Sequence, residues 1–156
     1  MPTVNICFVC LGNICRSPLA EGVLKNLVAQ AGRSADFHIE SAGLGAWHVG
    51  EAPDPRARQT AQAHSLQLTS YAQQFRAADF ARFQWVLALD QSVATHLRRL
   101  ASTEAHRQTI HLLRAYDPLA NHDRDVPDPY SGSLHDFEVA YQMIERSCLH
   151  FFTVCS

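Results

Sequence analysis

The sequence predicts an α/β fold in which a parallel sheet carries helices on both faces. Three observations predict it. Short apolar runs alternate with segments of helical periodicity along the chain. The first run is apolar almost without interruption, as a strand buried on both faces must be. The 156 residues match one hydrophobic core rather than two large domains, so a single domain over 1–156 is expected.

Val4 to Val9 is the first strand, rich in β-branched and aromatic residues. Leu19 to Val28 places Leu, Val and Ala at helical spacing, with Pro18 suited to the first helical position. Phe37 to Ser41 alternates as a second strand, and Ala42 to Pro55 is a loop containing Gly43, Gly45 and Gly50. Pro55 to Leu66 reads as a helix, Trp85 to Leu89 as a buried strand, and Gln91 to about Ala105 as one continuous helix. Thr109 to Leu113 is the last strand. Ala115 to Gly132 carries Asp and Pro at turn spacing, and Ser133 to about Phe151 sets Phe137, Val139, Ala140, Met143, Ile144 and Cys148 along a helical stripe.

Composition excludes several classes. With 47% hydrophobic and 18% charged residues, seven Gly and seven Pro, the chain is neither disordered nor collagen-like. A formal charge of −2 gives no general attraction for nucleic acid or an anionic membrane, so any anion site must be local. The start, Met1-Pro2-Thr3-Val4-Asn5, lacks a secretory signal, and no run approaches a membrane span. A soluble cytoplasmic protein is expected, as a monomer or weak dimer. Five cysteines, with Cys7, Cys10 and Cys15 in one short segment, suggest reduced thiols rather than a disulfide framework. Cys7 and Cys10 point to opposite sides of a strand, which argues against a redox pair and assigns Cys7 to the core. Nine histidines show no metal-ligand spacing, and neither a metal nor a cofactor is expected.

The chemistry concentrates where the first strand meets the first helix, in Cys10-Leu11-Gly12-Asn13-Ile14-Cys15-Arg16-Ser17-Pro18. Ligands of open α/β sheets bind beyond the carboxyl ends of the strands, which is where this loop lies. Backbone N–H groups of such a turn form an anion nest, the helix N-terminus adds positive potential, and Arg16 offers a planar fork to two oxygens. The same surroundings favour Cys10 as a thiolate nucleophile. Gly12 and Asn13 tolerate left-handed backbone, and Ser17 can donate to the cysteine sulfur.

Cys-x-Gly-Asn-x-Cys-Arg-Ser-Pro after an apolar strand resembles the low-molecular-weight protein tyrosine phosphatases. Seven fixed residues arise by chance about once in a billion positions. Ser41-Ala42-Gly43, Trp47-His48-Val49-Gly50, Asp54-Pro55-Arg56-Ala57 and Asp128-Pro129-Tyr130 extend the likeness over nearly the whole chain. The fold it implies is a four-stranded parallel sheet flanked by helices. The activity it implies is hydrolysis of phosphotyrosine on a protein substrate. By resemblance Cys10 attacks phosphorus, and Arg16 holds the phosphate oxygens with the loop of Leu11, Gly12, Asn13, Ile14, Cys15 and Ser17. Asp128 is the general acid and then the base that activates water, while Trp47 and Tyr130 form aromatic walls. The resemblance assigns Asn13, Ser41 and His64 to a network that holds the loop, and makes Cys15 a redox partner able to form a reversible disulfide with Cys10.

Both Asp117 and Asp128 precede proline, and the aromatic after Pro129 selects Asp128 by resemblance. Relatives often carry tandem tyrosines after the Asp-Pro, whereas Ser131 follows Tyr130 here. A protein-arginine phosphatase is the alternative within the family, where a threonine corresponds to Ile14. A thiol-dependent arsenate reductase would need further cysteines, and 79–89 contains none. An inactive phospho-binding module would lack the nucleophile or the acid, and Cys10 and Asp128 are both present.

Overall fold

The computed structural model describes residues 2–156; Met1, the first residue of the expected domain, lies outside the described residues. Alternation of strand and helix is realised as β1 (Val4–Cys10), α1 (Arg16–Gln30), β2 (Phe37–Gly43), α2 (Pro55–Ala63), β3 (Trp85–Ala88), α3 (Gln91–Leu100), α4 (Glu104–Arg107), β4 (Ile110–Leu112) and α5 (Leu134–Cys155). The strands form one parallel sheet in the order β2-β1-β3-β4.

The two-residue period of the strands sorts their side chains onto two cores. Ile6, Phe8 and Cys10 of β1 and Leu87 of β3 pack on one face with α1, α2 and α5. Cys7, Val9, Val86 and Ala88 pack on the other with α3 and the Phe75, Phe80 and Phe83 rings. Cys7 and Cys10 therefore sit in different cores, as the alternation requires. β1 leads to β2 on one side and β3 leads to β4 on the other, so the loops leaving β1 and β3 diverge. The crevice between their carboxyl ends is where a sheet of this kind takes a ligand.

Several boundaries differ from the sequence expectation. α1 begins at Arg16, so Pro18 occupies the third helical position, not the first. First-turn amides have no partner one turn back, so its missing N–H costs nothing there. The single helix expected from Gln91 to Ala105 is two. Thr103 accepts from the His106 amide at 3.1 Å and starts α4 anew. α5 runs on to Cys155, past the expected end at about Phe151. Its start is fixed by the reciprocal pairing of Ser133 and Asp136.

α2 ends in a reverse turn in which Leu66 N–H donates to Ala61 O at 2.9 Å and Ser65 N–H to Gln62 O at 3.0 Å. Ser65 takes a φ of 62°, a left-handed conformation that disfavours a residue with a Cβ. Ser65→Gly should stabilise the fold by about 0.5–1 kcal/mol. The check is the urea midpoint at unchanged slope; a lower midpoint would show that the Ser65 side chain contributes more than its strain.

Candidate active site

β1 delivers Cys10 to the sheet's carboxyl edge, where the sulfur is 3% exposed as a residue and lines a cavity of about 170 Å³. The loop that follows is held by its carbonyls. Cys10 O accepts from Leu44 N–H at 3.0 Å, Leu11 O from Gly45 N–H at 3.0 Å, and Ile14 O from Asp54 N–H at 2.8 Å. In a trans peptide the C=O of one residue and the N–H of the next point opposite ways. Anchoring those carbonyls outward therefore turns the amides of Leu11, Gly12 and Cys15 inward. α1 starting at Arg16 adds the unpaired amides and positive potential of a helix N-terminus.

Asn13 holds the turn in shape. Its φ is 59°, and its side chain uses both ends of the amide. Oδ1 accepts from Gln73 N–H at 3.0 Å, and Nδ2 donates to Ser17 Oγ at 2.7 Å and Ser41 Oγ at 3.0 Å. Ser41 in turn donates to Glu21, which is buried and paired with Lys25 at 2.6 Å. Ser17 Oγ lies 3.0 Å from Cys10 Sγ, and the Asn13 amide donates to the same sulfur at 3.3 Å. The Cys10 sulfur thus meets a hydroxyl on one side and a backbone amide on the other. Cys15, beside it in the cavity lining, is a different kind of thiol: burial, reinforced by Asp54 and Cys10, pushes it up to about 12.

Arg16 is 2% exposed and bridges the crevice. Its Nη1 donates to Asp90 Oδ2 at 2.7 Å and to Val126 O at 2.8 Å, while Nη2 lies 3.9 Å from Asp128 Oδ2. Burial opposes its charge, but the neighbouring Cys10, Asp90 and Asp128 outweigh that and raise its pKa. Asp90 also caps α3, accepting from Val93 N–H at 2.8 Å, so one carboxylate serves the helix and the arginine together.

Asp128 lines the same cavity with its side chain 45% exposed, and its Oδ1 accepts from Tyr130 N–H at 3.1 Å. Trp47 and Tyr130 line the mouth and are both exposed, so Trp47 is no core residue. Arg56 stands over the Tyr130 ring at 5.6 Å and donates to Gly132 O at 2.9 Å. Asp117, the other Asp-Pro, is buried, and both its carboxylate oxygens are engaged by arginines.

The structure brings Cys10, Arg16, Asp128, Trp47 and Tyr130 to one cavity, with Leu11, Gly12, Ile14 and Cys15 in its lining. Asn13, Ser17 and Ser41 form the network beneath. His64 is the correction. It caps the end of α2, where its Nε2 meets the Glu138 carboxylate at 2.9 and 3.0 Å and its ring stacks on Tyr141 at 3.9 Å. α2 packs against α5, so His64 bonds to that helix, while Asn13 and Ser41 bond to Gln73 and Glu21. Sequence reasoning missed Glu21, Gln73 and Asp90, and gave no role to Arg56 or to His48, which also lines the cavity. An acid on the apolar face of α1 was a signal for Glu21, and an Asp immediately after a buried strand was one for Asp90.

Comparison with known proteins places the sequence and the fold among known relatives. Residues 5–155 match the family described as low molecular weight phosphotyrosine protein phosphatase. A low molecular weight protein-tyrosine-phosphatase of Streptomyces coelicolor is 46% identical over 146 residues, covering 93% of this chain and 89% of that one. The crystal structure of a protein tyrosine phosphatase from Entamoeba histolytica superposes with a TM-score of 0.92 at 28% identity, over 97% of this chain and 96% of that one. A structure described as a drosophila arginine phosphatase superposes with a TM-score of 0.89 at 34% identity, covering 96% of each chain. Sequence motif and fold accord with these matches: the chain belongs to the low molecular weight phosphotyrosine protein phosphatase family.

Proposed function

We propose that this protein hydrolyses phosphotyrosine in polypeptides through a phosphocysteine on Cys10. The observation that carries the reading is the convergence of Cys10, Arg16 and Asp128 on one cavity walled by Trp47 and Tyr130. The Cys10 thiolate attacks phosphorus, forming an S–P bond as the P–O bond to the tyrosine breaks. Arg16 and the inward amides of the loop hold the remaining phosphate oxygens, whose charge spreads in the transition state. Asp128 donates a proton to the departing phenolate oxygen, then takes one from the water that cleaves the S–P bond and frees Cys10. Ser17 and the Asn13 amide stabilise the sulfur as leaving group in that second step.

Hydrolysis of phosphoarginine is a second reading, favoured by the likeness to the drosophila arginine phosphatase. Ile14 in the cavity lining supports the phenol ester, because a branched apolar side chain packs on a ring but offers nothing to a guanidinium. Matched phosphotyrosine, phosphoserine and phosphoarginine peptides separate the readings. Turnover of phosphotyrosine should be abolished in Cys10→Ser and fall about 100-fold in Asp128→Ala. Faster turnover of phosphoarginine would overturn the phenol ester.

Thiol chemistry follows from the two environments. Iodoacetamide at pH 8 should label Cys10 ahead of Cys15, which burial keeps protonated, and inorganic phosphate should protect Cys10. Peptide mapping by mass spectrometry reads the order, and labelling of Cys15 first would contradict it. Cys15 is also the proposed resolving thiol. Peroxide takes the Cys10 thiolate to a sulfenic acid, and Cys15 sulfur then displaces water to give the Cys10–Cys15 disulfide. Thiol-reversible inactivation by peroxide should therefore become irreversible in Cys15→Ser; equal recovery of both proteins would sink this role.

A further inference from the structure

Residues 117–133 contain neither helix nor strand, yet this segment carries Asp128. A carboxylate on an irregular loop reaches a leaving oxygen only if the stem of the loop is fixed elsewhere. Besides Arg16, whose Nη1 donates to Val126 O at 2.8 Å, three ties fix the stem here. Val126 N–H donates to Leu89 O at 2.9 Å, at the end of β3. Asp125 Oδ1 accepts from Gln91 N–H at 2.8 Å, at the start of α3. Arg114 Nη1 donates to the carbonyls of Asp123 at 3.2 Å and Asp125 at 3.1 Å, gripping the chain two residues apart.

Arg114 is only 9% exposed, and a guanidinium so placed needs a partner. Asp117 supplies it, accepting from Arg114 Nε at 3.1 Å. The same carboxylate accepts from Arg146 Nε at 3.1 Å and Nη2 at 3.2 Å, on α5, and from Leu119 N–H at 2.9 Å. Burial alone would raise Asp117, but these donors outweigh it and hold the carboxyl below its ordinary range. Such a cluster is costly to assemble, and none of its members touches the cavity. What it does hold is the backbone leading to Val126 and Asp128.

We propose that Arg114, oriented by Asp117, is a positioning residue for the general acid: it fixes the stem of the acid loop so that Asp128 reaches the leaving oxygen. This rests on the reading of Asp128 as acid. A guanidinium is required because its Nη1 donates to both carbonyls while its separate Nε donates to Asp117; a lysine ammonium, with all its donors on one nitrogen, does not reproduce that geometry.

The test compares kcat/KM for phenyl phosphate, whose leaving group needs a proton, with that for 2,4-dinitrophenyl phosphate, whose leaving group does not. The ratio of the two is independent of the fraction of enzyme folded, so it separates positioning from loss of fold. Asp128→Asn should lower the ratio by about 100-fold. Arg114→Lys and Asp117→Asn should each lower it by about tenfold, and the more exposed Arg146→Gln, a milder change, by about threefold. In the Asp128→Asn background none of the three should lower it further. Equal losses on both substrates would overturn the proposal and make the cluster a matter of stability alone. An unchanged ratio in Asp128→Asn itself would instead overturn the acid reading, a distinguishable result.

Discussion

The buried guanidinium of Arg16 is the constraint on which the site depends. Its Nη1 joins Asp90, 74 residues away, to the Val126 carbonyl, 110 residues away, at 2.7 and 2.8 Å. Withdrawing a charge this far from water is tolerable only with partners, and stripping one away typically costs about 3–5 kcal/mol. The loop after β1, the cap of α3 and the stem of the Asp128 loop are therefore compelled to meet. The cavity forms where they do, with the arginine's Nη2 at 3.9 Å from Asp128 Oδ2.

Beneath Cys10 the constraint is the direction of hydrogen bonds. Ser41 gives its hydrogen to Glu21, so it can only accept from Asn13. Asn13 must then present its amide nitrogen to both hydroxyls and its oxygen to Gln73 N–H. Ser17, accepting from Asn13, has its own hydrogen left for Cys10 Sγ at 3.0 Å. A buried carboxylate on α1 thereby sets the polarity of donors reaching the sulfur. Networks of this kind are stable only when every member is satisfied, which is why a left-handed Asn13 persists here.

The two halves of the site differ in how they are held. The loop after β1 rests on a strand end and a helix start, elements packed into the core. The Asp128 side is irregular chain, tied by arginines. Arg56 bonds Asp54, whose amide holds Ile14 O, and reaches Gly132 O at 2.9 Å, so the Tyr130 wall is linked to the phosphate loop through side-chain contacts. Arg114 plays the corresponding part on the stem.

Much of this was legible in the sequence because it is local. Apolar runs placed all four strands within two residues of their observed ends, and the Cys10 to Pro18 spacing marked the loop. The break between α3 and α4 was not legible, since a Thr cap competes with a continuing apolar pattern only once Ala101 is buried. His64 was misplaced for a related reason: its side chain answers to Glu138 and Tyr141, on a helix some 70 residues on in sequence. Asp117 and Asp128 look alike as Asp-Pro turns, and only packing buries one between arginines while leaving the other at the cavity. The sequence by itself determined the strands, the phosphate loop and the types of reactive group, because period and spacing act between near neighbours. Tertiary structure decided which Asp90, Glu21 and Arg114 contacts hold those groups, because a buried charge selects its partner by proximity in the folded chain.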